Sequence, residues 1–353
     1  MAFGLGKGYL DVPELINQWK GKLAYIIPSM EQSGIDHATI QTPENQNAAT
    51  LPPSKDEKGI YGIYIGQSSH DVLSLLGAPQ RKDPSAFGYE WWVYNNEGSH
   101  YIQIGIQNNN VVDLYSPGRA WNFKGIHKGS TEDQLHKVFS IKPTVTFTYD
   151  RAEFTIKNIL NERPLVILND IPTLFYLDKH DQNKVVGIRF MTKEWLVKSK
   201  LYSIEWTYYK TPPDVYAQPL SAEQQNSDQR ATEEQIFDLV NVVRTEYGLP
   251  TLQWNEGAAT VARGHSLDML EHHYFDHVSS TTGMDPFERM KKNGIKFRTA
   301  GENIAMGYMD AIEVHHGWMN SLGHRKNILH PDFKTLGVGV VRNYSTQNFV
   351  TPW

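Results

Sequence analysis

Histidine side chains are concentrated in the last third of the sequence. Eight of the 14 histidines follow residue 232. They are His265, His272, His273, His277, His315, His316, His324 and His330. Histidine is the side chain best suited to bind metals and transfer protons near neutral pH, so we expect a functional site in this region. The alternative is that most of these rings lie on the exposed surfaces of helices.

Other motifs for catalysis or cofactor binding are scarce. The chain has no cysteine, which excludes disulfides, thiolate zinc sites, iron–sulfur clusters and a cysteine nucleophile. The HExxH, GxSxG, P-loop and GxGxxG motifs do not occur, and GLGKG at residues 4–8 lacks the spacing of a phosphate-binding loop. Ser321 precedes His324 by three residues, but a serine near a helix start is more often an N-cap than a nucleophile.

The overall composition is that of a soluble globular protein. The 353 residues are 40% apolar and 21% charged, with a formal net charge of −5. The length predicts two or three domains, and the charge argues against a generally basic nucleic-acid-binding protein. No stretch approaches the roughly 18 apolar residues of a membrane span, and the first 30 residues show no signal-peptide pattern. We therefore expect no membrane span and no visible export signal.

The first 210 residues divide into an extension and a domain that contains a repeat. Residues 1–58 are predicted to be an N-terminal extension or linker, with a short amphipathic helix capped by Asp11 and a polar segment from residue 36 onward. GIYIGQSSHDVLSLL begins at Gly62, and a similar segment, GIHKGSTEDQLHKVF, begins at Gly125. Each is followed by alternating, strand-like sequence. We predict an internal duplication, near residues 62–124 and 125–210, of a helix with an antiparallel sheet; chance similarity is the alternative.

Residues 211–231 are rich in Pro, Gln and Ser and are predicted to be a linker. A helix should then begin at a capping box formed by Thr232 and Gln235. Further helices are predicted over residues 256–274 and 310–320, and another from Gly323. The last residues resemble two core strands that form a hairpin. This arrangement predicts a separate domain over residues 232–353.

Six segments occur in the order typical of a known family. They are NVVRTEYGLPTLQWNEGAATVARGHSLDML, YFDH, AGENIAMG, WMNSLGHRKNIL, LGVGVV and TQNF. Together they resemble a bacterial CAP domain, also called SCP-like after the cysteine-rich secretory, antigen 5 and pathogenesis-related proteins. Upstream, IGQSSHDVLSLLGAP and WWVYN resemble the CAP-associated N-terminal domain of Gram-positive bacteria, which we place at residues 59–210.

The resemblance implies an α+β protein. It implies a three-layer α-β-α sandwich (the CAP fold), preceded by the duplicated helix-plus-antiparallel-sheet region. The family's open cleft holds two His and two Glu, and three of these match His277, Glu302 and His324. The position of the second Glu is Ser321, as in other bacterial members, and Glu313 could replace it only from a different direction. The resemblance also makes Trp318 a core residue.

His277, His324 and Glu302 are therefore the predicted metal ligands, with Zn²⁺ or another divalent metal as the cofactor. The same residues are the candidates for catalysis. For Glu302 we keep the alternative that it sits in a Gly-Glu-Asn turn and only accepts hydrogen bonds from the backbone.

The resemblance implies a secreted or cell-envelope binding module without established catalysis. Its ligand, cell-wall material or a peptide, would occupy the cleft. The alternative is a metal-dependent hydrolase, a protease or a nuclease, in which His277 or His324 is the general base and a metal-bound water is the nucleophile. Lipid or sterol binding ranks third, because the chain lacks a long apolar stripe.

Overall fold

The computed structural model describes residues 6–10, 25–27, 58–95 and 100–353. The chain divides into two compact units, and both combine helices with mainly antiparallel sheets, so the predicted α+β class is confirmed. The predicted helix capped by Asp11 lies outside the described residues, as does nearly all of the polar segment that ends at Lys58. No helix in the described part of the chain combines the length and the apolar character that crossing a bilayer requires.

The elements are numbered in chain order. The strands are β1 Gly6–Leu10, β2 Tyr25–Ile27, β3 Gly59–Ile60, β4 Ile63–Tyr64, β5 Arg81–Pro84, β6 Glu90–Tyr94, β7 Ile102–Gln107, β8 Asn110–Ser116, β9 Asn122–Phe123, β10 Ile126–His127, β11 Thr144–Tyr149, β12 Ala152–Lys157, β13 Leu165–Leu168, β14 Ile171–Asp178, β15 Lys184–Met191, β16 Ile204–Tyr208, β17 Gln253–Trp254, β18 Thr299–Met306, β19 Thr335–Val341 and β20 Tyr344–Thr351. The helices are α1 Ser69–Leu76, α2 Glu132–Val138, α3 Lys193–Lys198, α4 Ala222–Glu246, α5 Glu256–Glu271, α6 Pro286–Lys292, α7 Ala311–Met319 and α8 Leu322–Ile328.

The first unit is built around a seven-stranded sheet. Its strand order is β13-β14-β15-β8-β7-β6-β5. Strands β5–β8 come from the first predicted repeat and β13–β15 from the second, and the two groups join where β8 pairs with β15. Apolar residues on one face of this sheet form a core with Val72 of α1 and Leu135 of α2. The two short helices therefore cover a single sheet.

The turns before α1 and α2 follow the same backbone path. Three left-handed residues precede each helix at equal spacing, with φ of 55°, 76° and 89° at Tyr61, Gly62 and Gly66, and of 54°, 86° and 90° at Lys124, Gly125 and Gly129. A hydroxyl then caps each helix: Ser68 accepts from the backbone N–H of Asp71, and Thr131 accepts from that of Gln134. The two predicted repeats therefore begin with the same backbone turn and the same type of helix cap, as an internal duplication would produce.

The GLGKG segment has a packing role in the first unit. Gly6 and Gly8 lie in β1, which pairs with β16 in a four-stranded sheet of order β1-β16-β12-β11. A Cβ atom at either position would overlap the ring of Tyr208 or Trp206. The glycines therefore allow two aromatic rings to lie flat against the strand.

Helix α4 begins earlier than the sequence pattern indicated, so the predicted capping box at Thr232 and Gln235 is wrong. The backbone N–H of Gln224 donates to Ser221 Oγ (3.2 Å), and the backbone N–H of Ser221 donates to Gln224 Oε1 (2.9 Å). The helix continues from there through residues 222–231 because the Ala, Glu, Gln and Arg side chains of this stretch favour a helix, and no Gly or Pro interrupts it. The predicted second helix ends at Glu271, and His273 beyond it is left-handed (φ 54°).

The second unit has a five-stranded sheet of order β17-β19-β20-β18-β2. Helix α5 lies very close to β19. A Cβ atom at Gly337 would overlap the helix backbone at Ala258–Ala259, and one at Gly339 would overlap it at Ala262–Arg263. The predicted third and fourth helices and the terminal hairpin are confirmed as α7, α8 and β19–β20. The fifth strand, β2, comes from the predicted N-terminal extension and pairs with β18.

Candidate functional site

Glu302 lies in the middle of strand β18, so the alternative of a Gly-Glu-Asn turn is wrong. The residue is opposite Asn348 of β20 on one side and Tyr25 of β2 on the other. Its side chain is completely buried. Burial selects the strand here because neighbouring strands on both sides satisfy the backbone of this Gly-Glu-Asn sequence.

Both carboxylate oxygens of Glu302 are bound by other side chains. His277 Nδ1 lies 2.8 Å from Oε1, and Arg289 Nη2 donates to Oε2 at 2.6 Å. Burial alone would raise the pKa of Glu302, but the Arg289 guanidinium and the hydrogen bond from His277 outweigh burial and hold that pKa below its usual value. The carboxylate is therefore ionised and can only accept hydrogen bonds, which places a proton on Nδ1 of His277.

Arg289 also fixes the backbone that carries His277. Its Nη1 donates to the carbonyl oxygens of His277 (2.7 Å) and Met284 (3.0 Å). The residue belongs to α6, whose start is set by a capping box between Asp285 and Glu288. The Arg289 guanidinium therefore binds both the loop that carries His277 and the buried carboxylate that contacts the His277 ring.

Two residues of α5 anchor the same loop. His265 Nε2 lies 2.9 Å from the carbonyl oxygen of Asp276, so this nitrogen donates, and burial lowers the pKa of the His265 ring. Asp268 accepts hydrogen bonds from the hydroxyls of Ser279 (2.7 Å), Thr281 (2.8 Å) and Tyr274. Burial would raise the pKa of Asp268, but these three hydrogen bonds lower it. The loop around His277 is thus attached at several points to one rigid helix.

His324 lies in the first turn of α8 beside a hydroxyl rather than a carboxylate. Its Nδ1 is 2.8 Å from Ser321 Oγ, and its Nε2 is buried with no hydrogen-bond partner in the described part of the chain. Burial and the nearby His277 lower the pKa of His324 to about 4. The ring is therefore neutral at physiological pH and presents one ring nitrogen without a partner.

Strand β18 joins the two halves of the site through two adjacent residues, Glu302 and Asn303. Glu302 faces α5 and α6 and binds His277. The next residue, Asn303, faces α8, where its Nδ2 donates to the carbonyl oxygen of His324 at 3.2 Å. Asn327 Nδ2 contacts both residues, donating to Glu302 O (3.1 Å) and Asn303 Oδ1 (2.9 Å). These buried amides fix the two histidines relative to each other.

The remaining predicted residues lie elsewhere. His272 and His273 are exposed as expected, but His315 and His316 are buried in α7, so their expected exposure on the protein surface is wrong. Glu313 is buried in the first turn of α7, and Asp310 caps its backbone N–H. The predicted burial of Trp318 is confirmed: it is 2% exposed, and its Nε1 donates to the carbonyl oxygen of Ile304 at 3.1 Å.

Arg289 and Asn303 were not among the predicted site residues, and His265 had no predicted role beyond its place among the eight histidines. Arg289 sits in FERMKK, where it looks like one of several cations on a helix surface. A weak signal was present, because a buried carboxylate needs a cation or several donors and Arg is the cation best suited to bind it. Ser321 was correctly placed at an N-cap position, but its hydroxyl makes no capping bond and contacts His324 instead.

The donors of this site fit an open metal site better than a closed one. No group of three or more His, Asp and Glu side chains in residues 6–10, 25–27, 58–95 and 100–353 is arranged to hold a metal. Because Nδ1 of each ring is engaged by a neighbour, His277 and His324 could coordinate a metal only through Nε2. Glu302 would support His277 from behind, in the carboxylate–histidine arrangement that orients metal ligands.

Comparisons with known proteins agree with this architecture. Residues 65–202 match the profile of the CAP-associated N-terminal domain, and residues 237–351 match that of the cysteine-rich secretory protein family, CAP. The Bacillus subtilis protein named uncharacterized membrane protein YlbC is 39% identical over 294 residues, which cover 82% of this chain and 83% of that protein. The uncharacterized protein YkwD of the same organism is 46% identical over 245 residues, which cover 63% of this chain and 92% of YkwD.

Two solved structures are also similar. An extracellular protein containing an SCP domain from Bacillus anthracis has 31% identity and a TM-score of 0.75, with 92% of this chain and 99% of that chain covered. A cysteine-rich secretory protein from Staphylococcus aureus has 22% identity and a TM-score of 0.69, with 84% of this chain and 94% of that chain covered. The second likeness concerns the fold alone.

Proposed function

The chain belongs to the cysteine-rich secretory protein family, and we propose that its second unit is a binding module of the cell exterior or envelope whose cleft holds a divalent metal between His277 and His324. The localisation is supported by the extracellular SCP-domain protein to which the chain is similar. The name of YlbC supports attachment at a membrane as well. The ligand of the cleft would be cell-wall material or a peptide.

The observation that carries the metal proposal is the buried Nε2 of His324, which has no hydrogen-bond partner in the described residues. A buried ring nitrogen without a partner costs free energy unless a ligand completes it. His277 lies close enough to lower the pKa of His324 electrostatically. Two imidazoles beside each other are ligands that zinc prefers.

Glu302 has a different role in this proposal from the one expected from the sequence. Its oxygens are engaged by His277 and Arg289, so it would orient His277 and increase the basicity of its Nε2 rather than contact the metal. A metal held by two histidines leaves open positions, and a bound Zn²⁺ would use them to polarise a ligand oxygen. Water would fill these positions when no ligand is present.

A metal-dependent hydrolase is the second candidate. The observation in its favour is the His277–Glu302 pair, because a general base is normally oriented by a carboxylate. What favours binding is that no further carboxylate completes a three-residue group with the two histidines within the described residues. We therefore expect no protease or nuclease turnover on generic substrates that is lost in His324→Ala.

Calorimetric titration of Zn²⁺ tests the proposal. The wild-type protein should bind one ion, and His277→Ala and His324→Ala should each lose that binding. The matched control is the double variant His272→Ala/His273→Ala, which removes two exposed rings and should bind zinc as the wild type does. Loss of zinc in the control together with retention in both cleft variants would place the metal on the surface and refute the proposal.

A further inference from the structure

We propose that the Ser321 hydroxyl keeps both tautomers of the neutral His324 ring accessible, so that this ring can present either a lone pair or an N–H group to the cleft. The proposal deepens the proposed function, because it concerns which ligands the same cleft accepts. The tautomers of His324 are nevertheless a property of the metal-free protein, and they can be measured in that form.

The two histidines have partners of different chemistry. His277 Nδ1 faces an ionised carboxylate, which only accepts, so Nδ1 keeps its proton. His324 Nδ1 faces the hydroxyl of Ser321 at 2.8 Å. A hydroxyl can donate or accept, so the contact is satisfied with the proton of His324 on either nitrogen.

Ser321 is well placed for this role because its hydroxyl does not cap the helix. It occupies the N-cap position of α8, yet its side chain makes no hydrogen bond to the helix backbone. The residue is partly exposed, so its hydroxyl proton can point to the ring or to solvent. His324 itself is 7% exposed, and its ring orientation is held by the surrounding structure.

The two tautomers suit two classes of ligand. When the hydroxyl donates to Nδ1, the ring proton is on Nε2, and His324 donates to an oxygen such as a peptide carbonyl. When Nδ1 carries the proton and donates to Oγ, Nε2 has a lone pair for a divalent cation. One neutral ring changes between these states by giving a proton to water at one nitrogen and taking one at the other. A carboxylate at position 321 would permit only the second state.

Nitrogen NMR on histidine-labelled, metal-free protein at about pH 8 measures these tautomers directly. The wild type should show His324 as a mixture and His277 in the Nδ1–H form alone. Ser321→Asp should move His324 toward the Nδ1–H form, whereas the hydroxyl-retaining Ser321→Thr should keep the wild-type populations. Ser321→Glu serves as a second, longer acceptor in case the Asp side chain caps α8 instead. The proposal is overturned if neither acidic variant changes the His324 populations.

Zinc affinity gives a second readout. Removing a residue that supports a metal ligand typically costs about 10–100-fold in affinity, so Ser321→Ala should bind Zn²⁺ at least about tenfold more weakly, and the acidic variants should bind it more tightly. If the tautomers respond but wild-type protein binds no zinc, the metal function fails and the role of Ser321 stands. If zinc binds and the tautomers do not respond, the role of Ser321 fails.

Discussion

Acidification should destabilise the second unit through His324. Its pKa is about 4 in the folded protein against 6.5 for an unperturbed histidine, so the unfolded chain binds this proton more readily. The contribution of the neutral ring to stability is complete above about pH 6.5 and is lost as the pH falls toward about 4. Between about pH 7.5 and about pH 5.0, linkage with these two values gives a loss of about 2 kcal/mol from this residue alone.

The effect can be isolated by comparing variants in urea. Unfolding of the wild type, His324→Gln and the exposed-ring control His273→Gln is followed by circular dichroism at both pH values. His324→Gln should lose about 2 kcal/mol less stability on acidification than the wild type does, and the control should retain the wild-type difference. Equal losses in the wild type and His324→Gln would show that the His324 ring is not held neutral by its surroundings, and would refute the reasoning.

Three further outcomes are expected. Trp318→Ala should lose about 3–5 kcal/mol of stability in urea unfolding. The control Trp353→Ala, at a residue 86% exposed, should lose almost none, and equal stabilities of the two variants would contradict the burial of Trp318. Arg289→Gln should lower stability by about 3–5 kcal/mol because it leaves a buried carboxylate without its cation, and Lys291→Gln on the same helix is the control that should melt like the wild type. Limited proteolysis should cut first within residues 217–221, which precede α4 and are mostly exposed; first cleavage inside a helix or strand on either side of this segment would argue against a linker there.

Local sequence signals predicted the elements well and the contacts between them poorly. The glycines of LGVGVV marked a core strand, and the structure shows why they are needed: helix α5 leaves no room for a Cβ atom at Gly337 or Gly339. Helices and strands depend on neighbours in sequence, and sequence patterns report these directly. Trp318 and the cleft histidines were found instead from the resemblance to the CAP family, because their spacing along the chain does not indicate a site.

The errors share a physical cause. Thr232 and Ser221 both begin acceptable capping boxes, and the choice between them depends on whether ten intervening residues stay helical. A turn at Glu302 stayed open as an alternative because β-propensity does not include the strands on each side, and these strands supply the hydrogen bonds of its backbone. The role of Arg289 depends on a carboxylate 13 residues away in sequence, and a helical pattern gives no information about that distance.

The first two strands among the described residues have partners that are synthesised much later. β1 pairs with β16 and β2 with β18, at sequence separations of about 200 and about 270 residues. Pairing over such distances is slow, because closing the loop costs entropy before the contact contributes. On the ribosome, Tyr25–Ile27 is made long before Ala300–Glu302, the residues opposite it. The sheet that holds the site is therefore completed only after Tyr344–Thr351 has been synthesised, and shorter chains carry an unpaired strand that is prone to aggregation.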